Sequence, residues 1–64
     1  MKLNEFLNNH LDDYVYLSKK SGAICDMMVK FLPFWLFIMY GECEIDFQCK
    51  SHGQFNVYDV MVKE

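Results

Sequence analysis

The run FLPFWLFIMY, Phe31 to Tyr40, constrains this chain more than any other stretch. Ten apolar residues in succession must be taken out of water, and a chain of 64 residues has room for only one core in which to do it. Widened to Ala23–Gly41, the segment reaches the length of a membrane-spanning helix, but Asp26 and Lys30 fall inside it and Pro33 sits at its middle. The uninterrupted part is only half of the ~20 residues that a crossing needs. It therefore reads as a buried element of a soluble protein. The rival is a small membrane-associated protein in which residues 24–40 form an inserted hydrophobic helix.

Hydrophobic spacing assigns the elements on either side. Leu3, Phe6, Leu7, Leu11, Tyr14 and Val15 recur at helical intervals with Asn4, Glu5, Asn8, Asn9, Asp12 and Asp13 between them. This predicts an amphipathic helix over about 3–19, ending at Lys19 and Lys20. Tyr14, Val15 and Tyr16 also suit a short strand. Ser21 is placed to cap a second helix, about 22–32, in which Ile24, Met27, Met28, Phe31 and Leu32 repeat at helical spacing until Pro33 stops it. Phe34 to Tyr40 has no helical amphipathicity, is rich in aromatics and has strand length, so a strand is predicted. Gly41 and Glu42 suit a two-residue type II′ turn, Cys43 to Cys49 alternates strictly, and a last strand follows the loop Ser51–Gly53. The expected fold is α+β: two N-terminal helices (about 3–19 and 22–32) followed by a three-stranded antiparallel meander (about 34–40, 42–50, 54–62), with residues 1–64 as a single small domain.

Counting pairs outward from the turns places Phe34, Leu36, Ile38 and Tyr40 on one face with Cys43, Ile45, Phe47, Cys49, Phe55, Val57 and Met61. That face is the expected core, with a bulge at Asp59 turning Val60 and Val62 inward. The other face carries Trp35, Phe37 and Met39 beside Glu44 and Asp46, with Glu42 at the turn and Tyr58 on the last strand. Large apolar side chains set together on an exposed face mark an interaction site, and Trp and Tyr are frequent anchors. The candidate partner-binding residues are therefore Trp35, Phe37, Met39, Glu42, Glu44, Asp46 and Tyr58. Three carboxylates at ~6.6 Å intervals along a strand also resemble a line of phosphates, so the same strip could act as a decoy for a basic nucleic-acid channel.

Composition closes off several function classes. With a net charge of -3, six lysines and no arginine, the chain lacks the clustered cations that hold phosphates, and direct nucleic-acid binding is not expected. Three cysteines make no paired framework, and MKLNEFLNNHLDD has none of the apolar core of a secretion signal, which predicts a reducing cytoplasm. Cys25, Cys43, Cys49, His10 and His52 are suitable zinc ligands by type but not by spacing. On one strand Cys43 and Cys49 stand roughly 20 Å apart, and there is no C-x-x-C pair. His10 on a polar helix face and His52 in a turn read as solvated groups rather than general bases, and the acid pairs Asp12–Asp13 and Glu44–Asp46 read as surface. No catalytic site, metal or cofactor is expected. These readings converge on a non-enzymatic protein-binding factor, an inhibitor or antitoxin-like or phage host-takeover protein. It would form a homo-oligomer and block a larger protein target through an aromatic and acidic sheet face.

Overall fold

The computed structural model describes residues 1–63, with all of their side chains but that of His52. In chain order they form helix α1 (Leu3–Asn8), strands β1 (Tyr14–Lys19) and β2 (Gly22–Met28), a 3-10 turn (Val29–Phe31), helix α2 (Phe34–Tyr40), and strands β3 (Ile45–His52) and β4 (Asn56–Val62). The strands make one mixed sheet in the order β2-β1-β4-β3, with β1 parallel to β4 and the two hairpins antiparallel. This four-stranded sheet with two short helices replaces the expected pair of N-terminal helices and three-stranded meander.

Helix α1 stops after six residues because the side chains that follow compete for the backbone. Leu3, Phe6 and Leu7 are its buried stripe. Beyond them the Asn9 amide donates to the Glu5 carbonyl at 3.0 Å, and Asp13 Oδ2 lies 2.9 Å from His10 Nδ1. The other Asp13 oxygen accepts the Asn56 N–H at 3.2 Å, so one carboxylate ties the start of β4 to the turn before β1. The helix expected over 3–19 thus gives way to a strand at Tyr14, in which Val15 and Leu17 are buried and Tyr16 is exposed.

Residues 22–32 are not helical either. Lys19 pairs with Gly22 across a tight turn, and Gly22 has φ 145°, a region that side-chain-bearing residues rarely enter. Cys25 pairs with Leu17 and Ala23 with Ser18, leaving Ile24 as the extra residue of a bulge. Ile24, Cys25 and Met27 all pack against the core as a result. That broken alternation, followed by the 3-10 turn, imitates helical spacing. Residues 24–40 are consequently strand, turn and a seven-residue helix rather than one inserted helix. Among the described residues no helix is long and apolar enough to cross a membrane.

Pro33 starts a helix rather than ending one. Its fixed φ of -68° suits the approach to a first turn, where a missing N–H goes unneeded, and its carbonyl accepts the Leu36 N–H at 3.1 Å. The strand expected over 34–40 is therefore α2, with Leu36 and Tyr40 buried one turn apart. Gly41 closes this helix instead of opening a hairpin, its N–H bonded to the Phe37 carbonyl at 3.1 Å. The two helices meet at Gly41: a Cβ there would lie 2.3 Å from the Phe37 carbonyl oxygen and 2.4 and 2.5 Å from the Asn4 side-chain amide. Next the N-terminal segment takes hold of the chain, with Leu3 N–H on the Cys43 carbonyl at 3.0 Å and Ile45 N–H on that of Met1 at 3.1 Å. Strand β3 accordingly begins at Ile45, not near 42.

Both helices cover the same face of the sheet. Val15, Leu17, Ile45, Val60 and Val62 meet Leu3, Phe6 and Leu7 from α1, Leu36 and Tyr40 from α2, and Val29 and Leu32 from the connection. Asp59 sits in a regular strand on the outer face, alternating with Tyr58 and Val60. The expected bulge there is absent, and Val57 and Met61 face outward with Asp59 instead of lining the core. The register shifts in β3 instead, at Lys50, between Cys49 opposite Tyr58 and Ser51 opposite Val57.

Candidate functional site

Helix α2 is apolar all round, yet among the described residues only one of its sides is packed. Leu36 and Tyr40 are buried, and Phe37 is half-buried against the core. The outer side presents two rows at i, i+4 spacing, Phe34 with Ile38 and Trp35 with Met39, preceded by Phe31 of the 3-10 turn. Their fractional exposures are 68% for Phe31, 75% for Phe34, 48% for Trp35, 72% for Ile38 and 62% for Met39. With ~150–250 Å² for an aromatic side chain, the three rings leave roughly 300–450 Å² open, and the aliphatic pair brings the patch to on the order of 550 Å². That is near the upper end for the largest apolar patch on a whole monomer, ~300–600 Å², in a much smaller chain than most.

Charges of opposite sign flank the patch. Lys30 stands at its N-terminal end, Nζ 5.6 Å from the centre of the Phe31 ring and 3.9 Å from Asp12. Glu42 stands at the other end, four residues beyond Ile38, and accepts from Lys2 Nζ at 2.8 Å. That hydrogen bond holds the Lys2 ammonium above the ordinary lysine pKa.

The seven residues singled out from the sequence do not share one surface. Trp35 and Met39 lie together on the outer side of α2, whereas Phe37 points toward the core. Glu42, Glu44 and Asp46 do not form a ladder. Glu42 is in the turn after α2 with Lys2, Glu44 is in an isolated bridge opposite Lys2 with its carboxylate 3.5 Å from the N-terminal ammonium, and Asp46 lies in β3, 3.2 Å from Lys63. Tyr58 is half-buried among aromatics under α1, its ring centroid 5.2 Å from Phe6, 4.7 Å from His10 and 6.1 Å from Phe47. Sequence reasoning missed Phe31, Phe34 and Ile38 as surface residues. The available signal was Pro33 as a helix start, which puts Leu36 and Tyr40 on one side and these residues on the other.

A second surface is the uncovered face of the sheet. Asp26, Tyr16, Asp59 and Gln48 form a row across its four strands, all exposed. The Tyr14 hydroxyl donates to Asp26 at 2.5 Å, and chiefly through that bond the phenol is pushed up to about 12. Asp46, Phe47, Gln48, Asp59 and Met61 line a shallow depression of about 430 Å³ beside this row.

Among the described residues the half-buried cysteines form no disulfide, and burial pushes the Cys25 thiol up, away from thiolate reactivity. No three His, Cys, Asp or Glu groups come together as metal ligands among the described residues, outside which the His52 side chain lies. Compared with protein-family models, with curated proteins and with solved structures, the chain matches none of them.

Proposed function

We propose that this chain is a non-enzymatic binding protein that docks the outer side of α2 onto another protein, and that it acts as an inhibitor or antitoxin-like factor by occupying a larger protein's surface. The observation that supports this is the patch itself: Phe34, Trp35, Ile38 and Met39 stand open to water on a helix whose opposite side is used by the core, with Phe31 exposed in the turn that leads into it. Water-exposed rings and aliphatics in one contiguous cluster gain free energy when a partner covers them, and an aromatic-rich centre with a charged rim is the usual make-up of a protein interface. A surface of this kind needs no catalytic group to be effective. Three cysteines that form no disulfide among the described residues suit a reducing cytoplasm as the place of action.

The test is a paired capture from the native cell with the wild-type chain and with Ile38→Asp as baits. Ile38 is so exposed that its replacement leaves the core intact. A protein held by the wild type, lost with Ile38→Asp and kept by Met61→Lys on the open sheet face is the expected result. Equal recovery by all three baits removes α2 as the docking element.

A further inference from the structure

We infer that the outer side of α2 is occupied, in the free protein, by the same side of a second copy, the two helices running antiparallel about a two-fold axis. This rests on the reading of that side as a protein-docking face and says what covers it while the larger partner is absent. Area is the first reason. At on the order of 550 Å² per copy, a symmetric pair covers roughly 1,100 Å², above the ~1,000 Å² that separates a specific interface from a casual contact. The second is shape. Phe34–Ile38 and Trp35–Met39 are parallel i, i+4 ridges with a groove between them, and ridges of this class pack into the grooves of an identical helix. A two-fold axis lets every residue of the patch serve as both knob and socket.

The third reason is charge. Lys30 stands at the N-terminal end of the patch, 3.9 Å from Asp12, and Glu42 at the other end, bonded to Lys2 of its own copy, so a cross-copy pair forms by exchange of exposed surface partners. Antiparallel packing sets Lys30 of each copy against Glu42 of the other, twice per dimer, whereas parallel packing sets like against like. The overall charge argues against an anionic lipid surface. Interfacial helices that hold to anionic membranes carry Lys and Arg on their rims, and here Glu42 and Glu44 follow the helix in a chain of net charge -3.

Sedimentation equilibrium from micromolar to millimolar protein tests this. The wild type should approach twice the 7.7 kDa chain mass, with Trp35 emission moving to the blue as concentration rises. Ile38→Asp should weaken association at least ~100-fold, and Phe34→Ser serves as a second probe if that variant is poorly folded by circular dichroism. Lys30→Glu and Glu42→Lys should each weaken it by about five- to tenfold, and the two together should restore it to within about twofold. Additive losses in the double variant overturn the antiparallel arrangement. A wild type that stays monomeric throughout overturns the second copy as occupant while leaving the docking face to the capture experiment. A dimer indifferent to both Ile38→Asp and Phe34→Ser overturns the two readings together. Vesicles of phosphatidylcholine that take up the chain and shift Trp35 emission at concentrations where it does not dimerise would assign the face to lipid, against this proposal.

Discussion

Gly41→Ala offers a test in which the sign alone is decisive. Gly41 has φ -58° and ψ -31°, ordinary right-handed helical values that alanine adopts freely. Backbone considerations by themselves predict a gain of ~0.4–1 kcal/mol, because alanine has fewer unfolded conformations to lose. The surroundings predict the reverse. A methyl group would fall 2.3 Å from the Phe37 carbonyl oxygen and 2.4 and 2.5 Å from the Asn4 amide, and the first of these is backbone that cannot rotate away. Forcing a methyl group into a packed site costs ~1–3 kcal/mol, and spreading the helices to make room strains the Asn4 N–H bond to the Gly41 carbonyl, 2.9 Å long and worth ~1 kcal/mol. The net expectation is a loss of about 2 kcal/mol, a large part of the ~3–10 kcal/mol available to a chain of this size. Urea unfolding followed by far-ultraviolet circular dichroism should show the midpoint lower by roughly 2 M at an unchanged slope of ~1 kcal/mol/M. Adding Asn4→Ala removes one of the two obstacles, so the double variant should lose less than the sum of the single ones. A Gly41→Ala chain as stable as the wild type, or more so, would refute the close approach of α1 and α2 at this point.

Three further outcomes follow from the same geometry. Gly22→Ala, in open space but at φ 145°, should cost ~1–3 kcal/mol from backbone strain alone, measurable as a lower urea midpoint with no change in the α1–α2 contact. Asp13→Ala removes the acceptor that joins His10 to the Asn56 N–H and should cost ~1–2 kcal/mol in the same assay, with Asp13→Asn recovering part of it. Because the Tyr14 phenol ionises near 12 in the folded chain and near 10 when unfolded, its contribution is fully present below pH 10 and is lost as pH rises toward 12. Tyrosinate absorbance should show one phenol titrating late in the wild type and earlier in Asp26→Asn.

The C-terminal hairpin was the most legible part of the fold. Strict alternation through Cys43–Cys49 points to a strand followed by a hairpin partner, and the structure pairs Ile45–His52 with Asn56–Val62 antiparallel. What alternation could not supply was which side of β4 is inner, because Val57 and Met61 are as apolar as Val60 and Val62. The N-terminal half was misread for a physical reason. Leu7, Leu11, Tyr14 and Val15 keep helical spacing by accident, with Leu11 half-exposed in a turn that Asn9, His10 and Asp13 hold by side-chain bonds. In β2 a one-residue bulge shifted the phase of a strand until it matched a helix. Phe34–Tyr40 misleads differently: it reads as a strand because neither side is polar. A helix whose solvent side is apolar carries no amphipathic signal, and the property that hid α2 is the one that makes it a candidate site. Trp35 and Met39 were reachable from composition, but Phe34 and Ile38 required knowing that Leu36 and Tyr40 face the core together.

The parallel pairing of β1 with β4 has a consequence for how the protein is made. Tyr14 pairs with Val57 and Lys19 with Val62, so the centre of the sheet joins segments 43 positions apart. On the ribosome β1 and β2 emerge early and can close their hairpin, but the edge of β1 stays unpaired until β4, 43 positions further along, has been synthesised. Throughout that interval α2 has no complete sheet to lean on. Closure of the sheet thus waits for β4, and the stage at which a chaperone would be needed is the one just before β4 arrives.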